Sequence, residues 1–386
     1  MPQTKRTADV VVVGGGMVGA TVAAMLGDQG IDCVLLEQAT ATRPDFRCEK
    51  VDAEQLDRLA RCGLGDALDA VGTINDTIWV GRGGRVLEVR AYRQLTAPYS
   101  AMVQAMRARV GGTARVMEAK VARIQPHPTS PVVECTDGSS WRCRVVAVAT
   151  GPSRRILESM GVERQVLSPR HSLSMGFDLA GRDGSSPPYS SVTWFPERFD
   201  GATSYLTVFQ MGAVFRANLF VYRPPSDPWI RRFQHDPLPM LQALMPRFVR
   251  LSGPLSVVGP VRTRFVDLYT TQHPMRPGVV LLGDAFASSD PAAGNGFDKV
   301  WNDAYYFARE CVPGWLAAPN LSEDSLLEFY AHPEKVACDT WCRERALQSR
   351  QVATSRRPYW VAHRLGAWGV QATRGLGRRL LKLGRQ

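Results

Sequence analysis

Residues 8–38 read "ADVVVVGGGMVGATVAAMLGDQGIDCVLLEQ", and this stretch decides the fold. Four successive valines, Val10–Val13, suit a strand buried on both faces of a parallel sheet. Gly14, Gly16 and Gly19 then occupy the G-x-G-x-x-G positions. The first glycine permits a tight turn, the second lets the backbone approach a pyrophosphate, and the third lets the following helix pack against the strand. That helix begins inside the turn, where Met17 and Val18 stand with the glycines as cofactor-binding residues. Its N-terminus offers unpaired N–H groups and a positive dipole end to phosphate. A second strand ends at Glu37, placed to accept hydrogen bonds from a ribose diol. A glycine triplet alone says little. Here the strand, the triplet, the apolar helix positions Ala23 and Leu26, Gly30 and the terminal acid all agree, which predicts a dinucleotide site.

The bulk of the chain is that of a globular protein, 45% hydrophobic and 22% charged, long enough for two cores or for one domain with a large insertion. No apolar run approaches the roughly 18 to 20 residues of a membrane span, and "VVVV" is too short for a signal-peptide core, so a cytoplasmic location is expected. The eight cysteines are scattered without a C-x-x-C pair, which argues for reduced thiols and against a structural metal or disulfide framework. Of the net charge of +11, ten Arg or Lys residues with no Asp or Glu lie between Arg345 and Gln386. The basic character therefore belongs to the tail. With no recognition module beside it, that charge does not indicate nucleic acid.

A second glycine loop follows a second buried strand. In "GVVLLGDAFASSDPAAGNGFDKVWNDA", residues 278–304, the strand ends at Gly283-Asp284 and a new helix begins near Phe297. A carboxylate at the C-terminal edge of such a strand meets ligand hydroxyls, and helix N-terminal amides stabilise negative charge.

Two such loops about 265 residues apart resemble the flavoprotein monooxygenases of the para-hydroxybenzoate hydroxylase type (class A). The family's second motif, G-D-A-x-x-x-x-x-P-x-x-G-x-G, is matched without a gap by Gly283, Asp284, Ala285, Pro291, Gly294 and Gly296, and Asp303-Ala304 follows where the family has a similar pair. The resemblance implies FAD. Asp284 would bind its ribityl or pyrophosphate part, and the turn from Gly294 through Phe297 to Asp298 would lie against the isoalloxazine ring. By the same resemblance Arg47 contacts the cofactor near its phosphates, Gln104 faces the ribityl chain from a helix, and Val121 meets the adenine through its backbone. It covers roughly residues 7–310. Three positions depart from the family. Ala287 replaces the usual histidine, Asp298 replaces an asparagine, and Thr150-Gly151 stands where the family has the Asp-Gly pair used with the nicotinamide cofactor. Electrons are therefore expected from NAD(P)H or from a separate flavin reductase.

The fold so implied is α/β: a discontinuous Rossmann-like FAD-binding domain (1–75, 101–165 and 266–320), an inserted antiparallel β-sheet substrate domain (76–100 and 166–265), and a helical basic C-terminal segment (321–386). "IWVGRGGRVLEV" reads as a hairpin around Gly81 to Gly84. Alternation along 213–222 puts Val214, Arg216, Asn218, Phe220 and Tyr222 on one face, where Arg216 and Asn218 are candidates to orient a polar or anionic substrate. Trp194 is expected in packing. In the tail, Tyr359, Trp360, Leu365 and Trp368 form one apolar stripe. Leu376, Leu380, Leu381 and Leu383 form another, ringed by Arg374, Arg378, Arg379, Lys382 and Arg385. Basic amphipathic helices suit anionic membranes or acidic partners such as a carrier protein, although four glycines weaken these.

The reaction implied is hydroxylation of an aromatic or otherwise electron-rich small molecule, of the kind met in secondary metabolism, by O2 through a flavin C4a-hydroperoxide. Three alternatives stay open: a flavin-dependent halogenase, with Lys50 or Lys299 as its lysine but without the W-x-W-x-I-P stretch; a prenyl-chain reductase; and a non-catalytic flavin-binding protein.

Overall fold

The computed structural model describes residues 5–42, 45–46, 49–366 and 369. Val10–Val13 is the middle strand of a five-stranded, wholly parallel sheet with the order Val279–Leu281, Val145–Val148, Val10–Val13, Cys33–Glu37, Ala114–Glu118. Every residue of Val10–Val13 and Val145–Val148 is buried, as expected for strands covered on both faces. Because the sheet is parallel, Gly14, Glu37, Ala149-Thr150 and Gly283 all emerge at one edge. That edge is where open α/β sheets bind their ligands.

The helix Met17–Asp28 packs on this sheet and is buried from Met17 to Gly27. It is apolar all round because the long helix Gly296–Tyr305 and the helix Tyr99–Ala108 cover its other sides. A small four-stranded sheet, Lys5–Thr7, Ser140–Arg142, Val132–Cys135 and Val121–Gln125, adjoins the cofactor half.

The second layer is an eight-stranded sheet in the order Leu255–Gln272, Glu163–Gly181, Val214–Val221, Thr203–Met211, Ser191–Trp194, Thr73–Arg82, Arg85–Thr96, Lys50–Asp52. It is antiparallel throughout except where Ser191–Trp194 runs parallel to Thr73–Arg82. The substrate sheet, expected to be antiparallel, is so in every pair but this one. It also takes in residues 50–52 and 73–75, which lie inside the segment 1–75 expected in the cofactor half. Alternation sorts its two faces. Phe215, Ala217, Leu219 and Val221 join a core with Phe233, Leu241, Met245 and Phe248 from three short helices, Pro228–His235, Pro237–Leu244 and Pro246–Ser252. The opposite face looks toward the cofactor half.

The hairpin turn is narrower than the sequence suggests. Gly83 and Gly84 alone take positive φ (55° and 74°), which suits a two-residue turn. Gly81 lies in the strand because a side chain there would come within 1.9 Å of the Trp194 ring, which is buried as packing. The chain then closes with the helices Glu323–Tyr330 and Pro333–Thr354 and helical residues 358–366. Tyr359 and Leu365 are exposed at 68% and 66%; Trp368, the second leucine stripe and its basic residues lie outside the described residues.

Candidate active site

The two glycine loops meet. A Cβ placed on Gly283 would lie 3.3 Å from Cγ1 of Val18, and one placed on Gly19 would lie 2.0 Å from the carbonyl oxygen of Gly14. Gly14 itself has φ +104°, and a Cβ there would press on Ala149 O at 2.6 Å. These contacts leave no room for side chains at the turn, while at Gly16 the approach is open, with only the Tyr99 hydroxyl 3.9 Å away. The helix starting at Met17 has no side-chain cap and no acidic residue in its first turn, and the helix starting at Gly296 likewise has no side-chain cap. Both therefore present uncapped N–H groups toward the shared edge, which is the donor set a dinucleotide's phosphates and a reduced flavin's negative charge require.

Glu37 stands beside the first loop. Its carboxylate accepts from Gly15 N (2.6 Å) and Ala39 N (3.3 Å). Arg107, which the sequence reading overlooked, holds this corner together: its guanidinium donates to Gly15 O (2.6 Å), Ala39 O (3.1 Å) and Thr40 O (2.9 Å) and lies 3.4 Å from Glu37. Gln104, one turn earlier on the same helix, donates to Thr40 O (3.1 Å) and Thr42 Oγ1 (3.3 Å). Val121 is buried at the start of its strand, and Glu37 pairs in register with Glu118 on the neighbouring strand. Arg47 lies outside the described residues.

The second loop is clamped from three sides. Arg164 donates to Pro152 O (2.6 Å), Gly151 O and Ser153 O (both 3.2 Å), Asp284 O (3.3 Å) and Ala285 O (3.5 Å). It thereby ties the Thr150-Gly151 turn to the Gly283-Asp284 loop while its guanidinium lies over the Tyr269 ring. From behind, Gly283 N donates to Asp303 Oδ2 (2.8 Å), whose other oxygen takes Lys335 Nζ at 2.8 Å. Lys335 also reaches Asp339, as does Lys299. Burial pushes the Lys299 ammonium down, but Asp339 and Asp303 outweigh it and hold it above the ordinary lysine range. Lys299 is thus committed to the interior, and Lys50 is the lysine that lines the cavity.

Beneath the Pro291–Ala293 turn, Asp290 caps the turn through Ala292 N (3.2 Å) and accepts from Ser172 Oγ (2.5 Å), with His171 Nε2 at 3.7 Å. Burial pushes the Asp290 carboxyl up and the His171 imidazole down. Tyr205 donates to Ala292 O (2.8 Å). On the other side Gln55, paired with Asp52 in a capping box, donates to Gly294 O (3.0 Å) and to Asp298 (2.7 Å), and Arg58 also reaches Asp298 at 3.0 Å. The Asp298 carboxylate therefore points into the helix Ala53–Arg61; it shapes the turn from outside the cavity.

Between this loop and the large sheet lies a cavity of about 520 Å³. Asp284, Pro291, Gly294, Gly296 and Phe297 line one side; Phe195, Tyr205, Phe209, Asn218, Phe220 and Phe265 line the other. Asn218 is where alternation places it. Arg216 shares its face but is not part of the lining. Its guanidinium is taken up by Glu49 and, at 2.6 Å and 3.4 Å, by Asp178. The expectation that Arg216 orients a polar or anionic substrate directly is corrected accordingly. Acidic partners from distant segments were invisible to a one-strand reading.

A dinucleotide edge joined to an aromatic cavity is the arrangement a flavin enzyme requires. Residues 7–125 match the family described as FAD binding domain. The chain is 25% identical over 321 residues to the 3-demethoxyubiquinol 3-hydroxylase of Escherichia coli, covering 78% of each. It is 28% identical over 325 residues to the ubiquinone hydroxylase UbiL of Rhodospirillum rubrum, covering 80% of this chain and 73% of that one. The fold superposes on p-nitrophenol 4-monooxygenase from Pseudomonas putida with a TM-score of 0.75 at 19% identity, covering 98% of both chains. The chain is an FAD-dependent oxidoreductase, similar in sequence to the two hydroxylases and in fold to the monooxygenase.

Proposed function

We propose that the protein hydroxylates a phenol, quinol or similarly electron-rich aromatic molecule held in the 520 Å³ cavity. The observation that carries this reading is that one continuous cavity is lined both by the second glycine loop and by four aromatic residues of the large sheet, Tyr205, Phe209, Phe220 and Phe265, with Phe195 just past the end of its strand Ser191–Trp194. The names of the two curated relatives, both hydroxylases acting on ubiquinone-type rings, support an oxygen-substituted ring. FAD, once bound and reduced, supplies the activated oxygen.

The protein's own contribution is placement. Gly14, Gly16, Met17, Val18 and Gly19 would hold the pyrophosphate, Glu37 the ribose, and Asp284 and Gln104 the ribityl side, with Val121 toward the adenine. The 294–298 turn would stabilise negative charge on the reduced ring through backbone N–H groups. The aromatic wall excludes water that would otherwise divert the activated oxygen to peroxide. Thr150 stands where a carboxylate would serve the nicotinamide cofactor, and its Oγ1 is buried without a partner among the described residues. Direct reduction by NAD(P)H and reduction by a separate reductase are distinguished by rate.

The test is turnover under 18O2 with simple phenols and quinols, supplying NADH, NADPH or a flavin reductase in turn. One 18O atom in a hydroxylated product is expected. Flavin reoxidation that yields only peroxide with every ring offered refutes the proposal. The excess positive charge from Arg345 onward further supports an anionic partner, a membrane surface or an acidic carrier protein. Among the described residues no helix is long and apolar enough to cross a membrane.

A further inference from the structure

One carboxylate oxygen in the cavity wall is under-satisfied among the described residues. Glu49 is 3% exposed and lines the cavity, and its Oε2 receives no hydrogen bond of ordinary geometry among the described residues. Its other oxygen is held by Arg216 Nη1. Arg216 is fixed in turn by the two-pronged contact with Asp178, so the guanidinium cannot swing round to satisfy both oxygens of Glu49. A buried acceptor left open is costly unless something supplies a donor, and the residue that carries this one lines the cavity. The wall around it is aromatic, with Phe46 seated against Gly176 at a position where a Cβ would come within 2.3 Å of the ring. The charged groups facing the carboxylate are Arg216 and, behind it, Asp178, and the Asn218 amide is a weak donor to the same carboxylate that a stronger donor in the cavity would replace. Burial pushes the Glu49 carboxyl up, and Arg216 only partly opposes this, so the group binds a proton more readily than an exposed glutamate.

We infer that Glu49 is the residue that orients the substrate, accepting a hydrogen bond through Oε2 from a phenolic O–H or an aromatic N–H. Arg216 is a positioning residue that acts through Glu49. The inference rests on the reading that the cavity holds an aromatic substrate, and it selects among such substrates. Rings bearing a neutral donor are favoured, rings whose oxygen is methylated lose the contact, and rings bearing a carboxylate at that point are repelled.

The test measures binding to the oxidised FAD holoenzyme, by perturbation of the flavin spectrum, with four probes: 4-nitrophenol (at a pH where it is neutral), 4-nitroaniline, 4-nitroanisole and 4-nitrobenzoate. The two donors are expected to bind at least tenfold more tightly than the ether and the carboxylate, and the ratio between them tells a hydroxyl-bearing substrate from an amino-bearing one. Glu49→Gln keeps a carbonyl for Arg216 and turns an N–H2 group toward the cavity. Its expected effect is to abolish or reverse that preference, with FAD content and melting temperature checked alongside. Should this variant fail to fold, the probe series on the unaltered protein still decides. Equal affinity for phenol and anisole, binding of none of the four, or a preference that survives in Glu49→Gln overturns the inference. No turnover is needed, so this result and that of the 18O2 experiment fail independently.

Discussion

Lys335 gives the sharpest energetic prediction. It is fully buried, and its ammonium lies 2.8 Å from Asp303 and 3.0 Å from Asp339. Asp303, 1% exposed, also accepts the backbone N–H of Gly283, so the ammonium supports the loop that carries Asp284. In Lys335→Met the Asp339 carboxylate keeps its contact with Lys299, while Asp303 keeps one N–H and only the more distant charge of Lys299. Removing one partner of a buried pair costs about 3–5 kcal/mol, mostly because a charge is left uncompensated. At about 2 °C per kcal/mol for a chain of this size, the melting temperature should fall by about 6–10 °C. The double variant Lys335→Met/Asp303→Asn removes that stranded charge and keeps a carbonyl for Gly283 N, so at least half of the loss should return. Urea unfolding of both variants with and without FAD measures this. A loss below about 1 kcal/mol in the single variant, or a double variant no better than the single, refutes the reasoning.

The same cluster sets a pH dependence. Burial pushes the Asp339 carboxyl up, but Lys299 and Lys335 outweigh it and hold it below the ordinary range. A carboxyl depressed in the folded state contributes stability that is present above its unfolded value of about 4 and is lost as pH falls through the folded value. With one cation removed, Lys335→Met should begin to lose this contribution at a higher pH, which urea midpoints between pH 3 and pH 6 would show. Gly19→Ala places a methyl group 2.0 Å from Gly14 O, so the helix must back away from the turn. Overpacking of this kind costs about 1–3 kcal/mol, and FAD should bind at least about tenfold more weakly by fluorescence titration. Arg164→Met frees five carbonyl contacts between the 151–153 turn and the 284–285 loop. FAD affinity should drop, and partial proteolysis should open this junction first; unchanged affinity would show that Arg164 only fills space. Sedimentation with anionic vesicles, but not zwitterionic ones, is expected for the full chain and lost on removal of residues 370–386 if a membrane is the partner. Chloride dependence with a halogenated product would instead favour the halogenase alternative through Lys50.

What could be read from the sequence was what depends on neighbours in the chain. Val10–Val13, the glycine triplet and Glu37 fix one another within a single strand–turn–helix unit, and the second loop does the same from Val279 to Phe297. Alternation along Val214–Val221 also placed Asn218 on the cavity face. It could not say that Arg216 would meet Glu49, 167 residues away, and so be spent on an ion pair. Arg164 reaches the 284–285 loop across 120 residues and Arg107 reaches Gly15 across 92, so neither leaves a local trace. Gln55 was the more readable omission. Asp52 and Gln55 stand at capping-box spacing, which marks a helix start, and only the fold turns that start toward Gly294. The strands at 50–52 and 73–75 lie within the segment 1–75 expected in the cofactor half, and their pairing partners lie in the large sheet.

The account depends most on the two glycine loops closing on opposite ends of a single FAD. Titration of the FAD-free protein with FAD, followed by competition with ADP and with riboflavin, tests this directly. The account predicts one FAD per chain, displaced by either fragment, with ADP competition weakened selectively by Gly19→Ala and riboflavin competition by Gly294→Val. A protein that takes up no FAD, or one whose FAD is displaced by neither fragment, would contradict it.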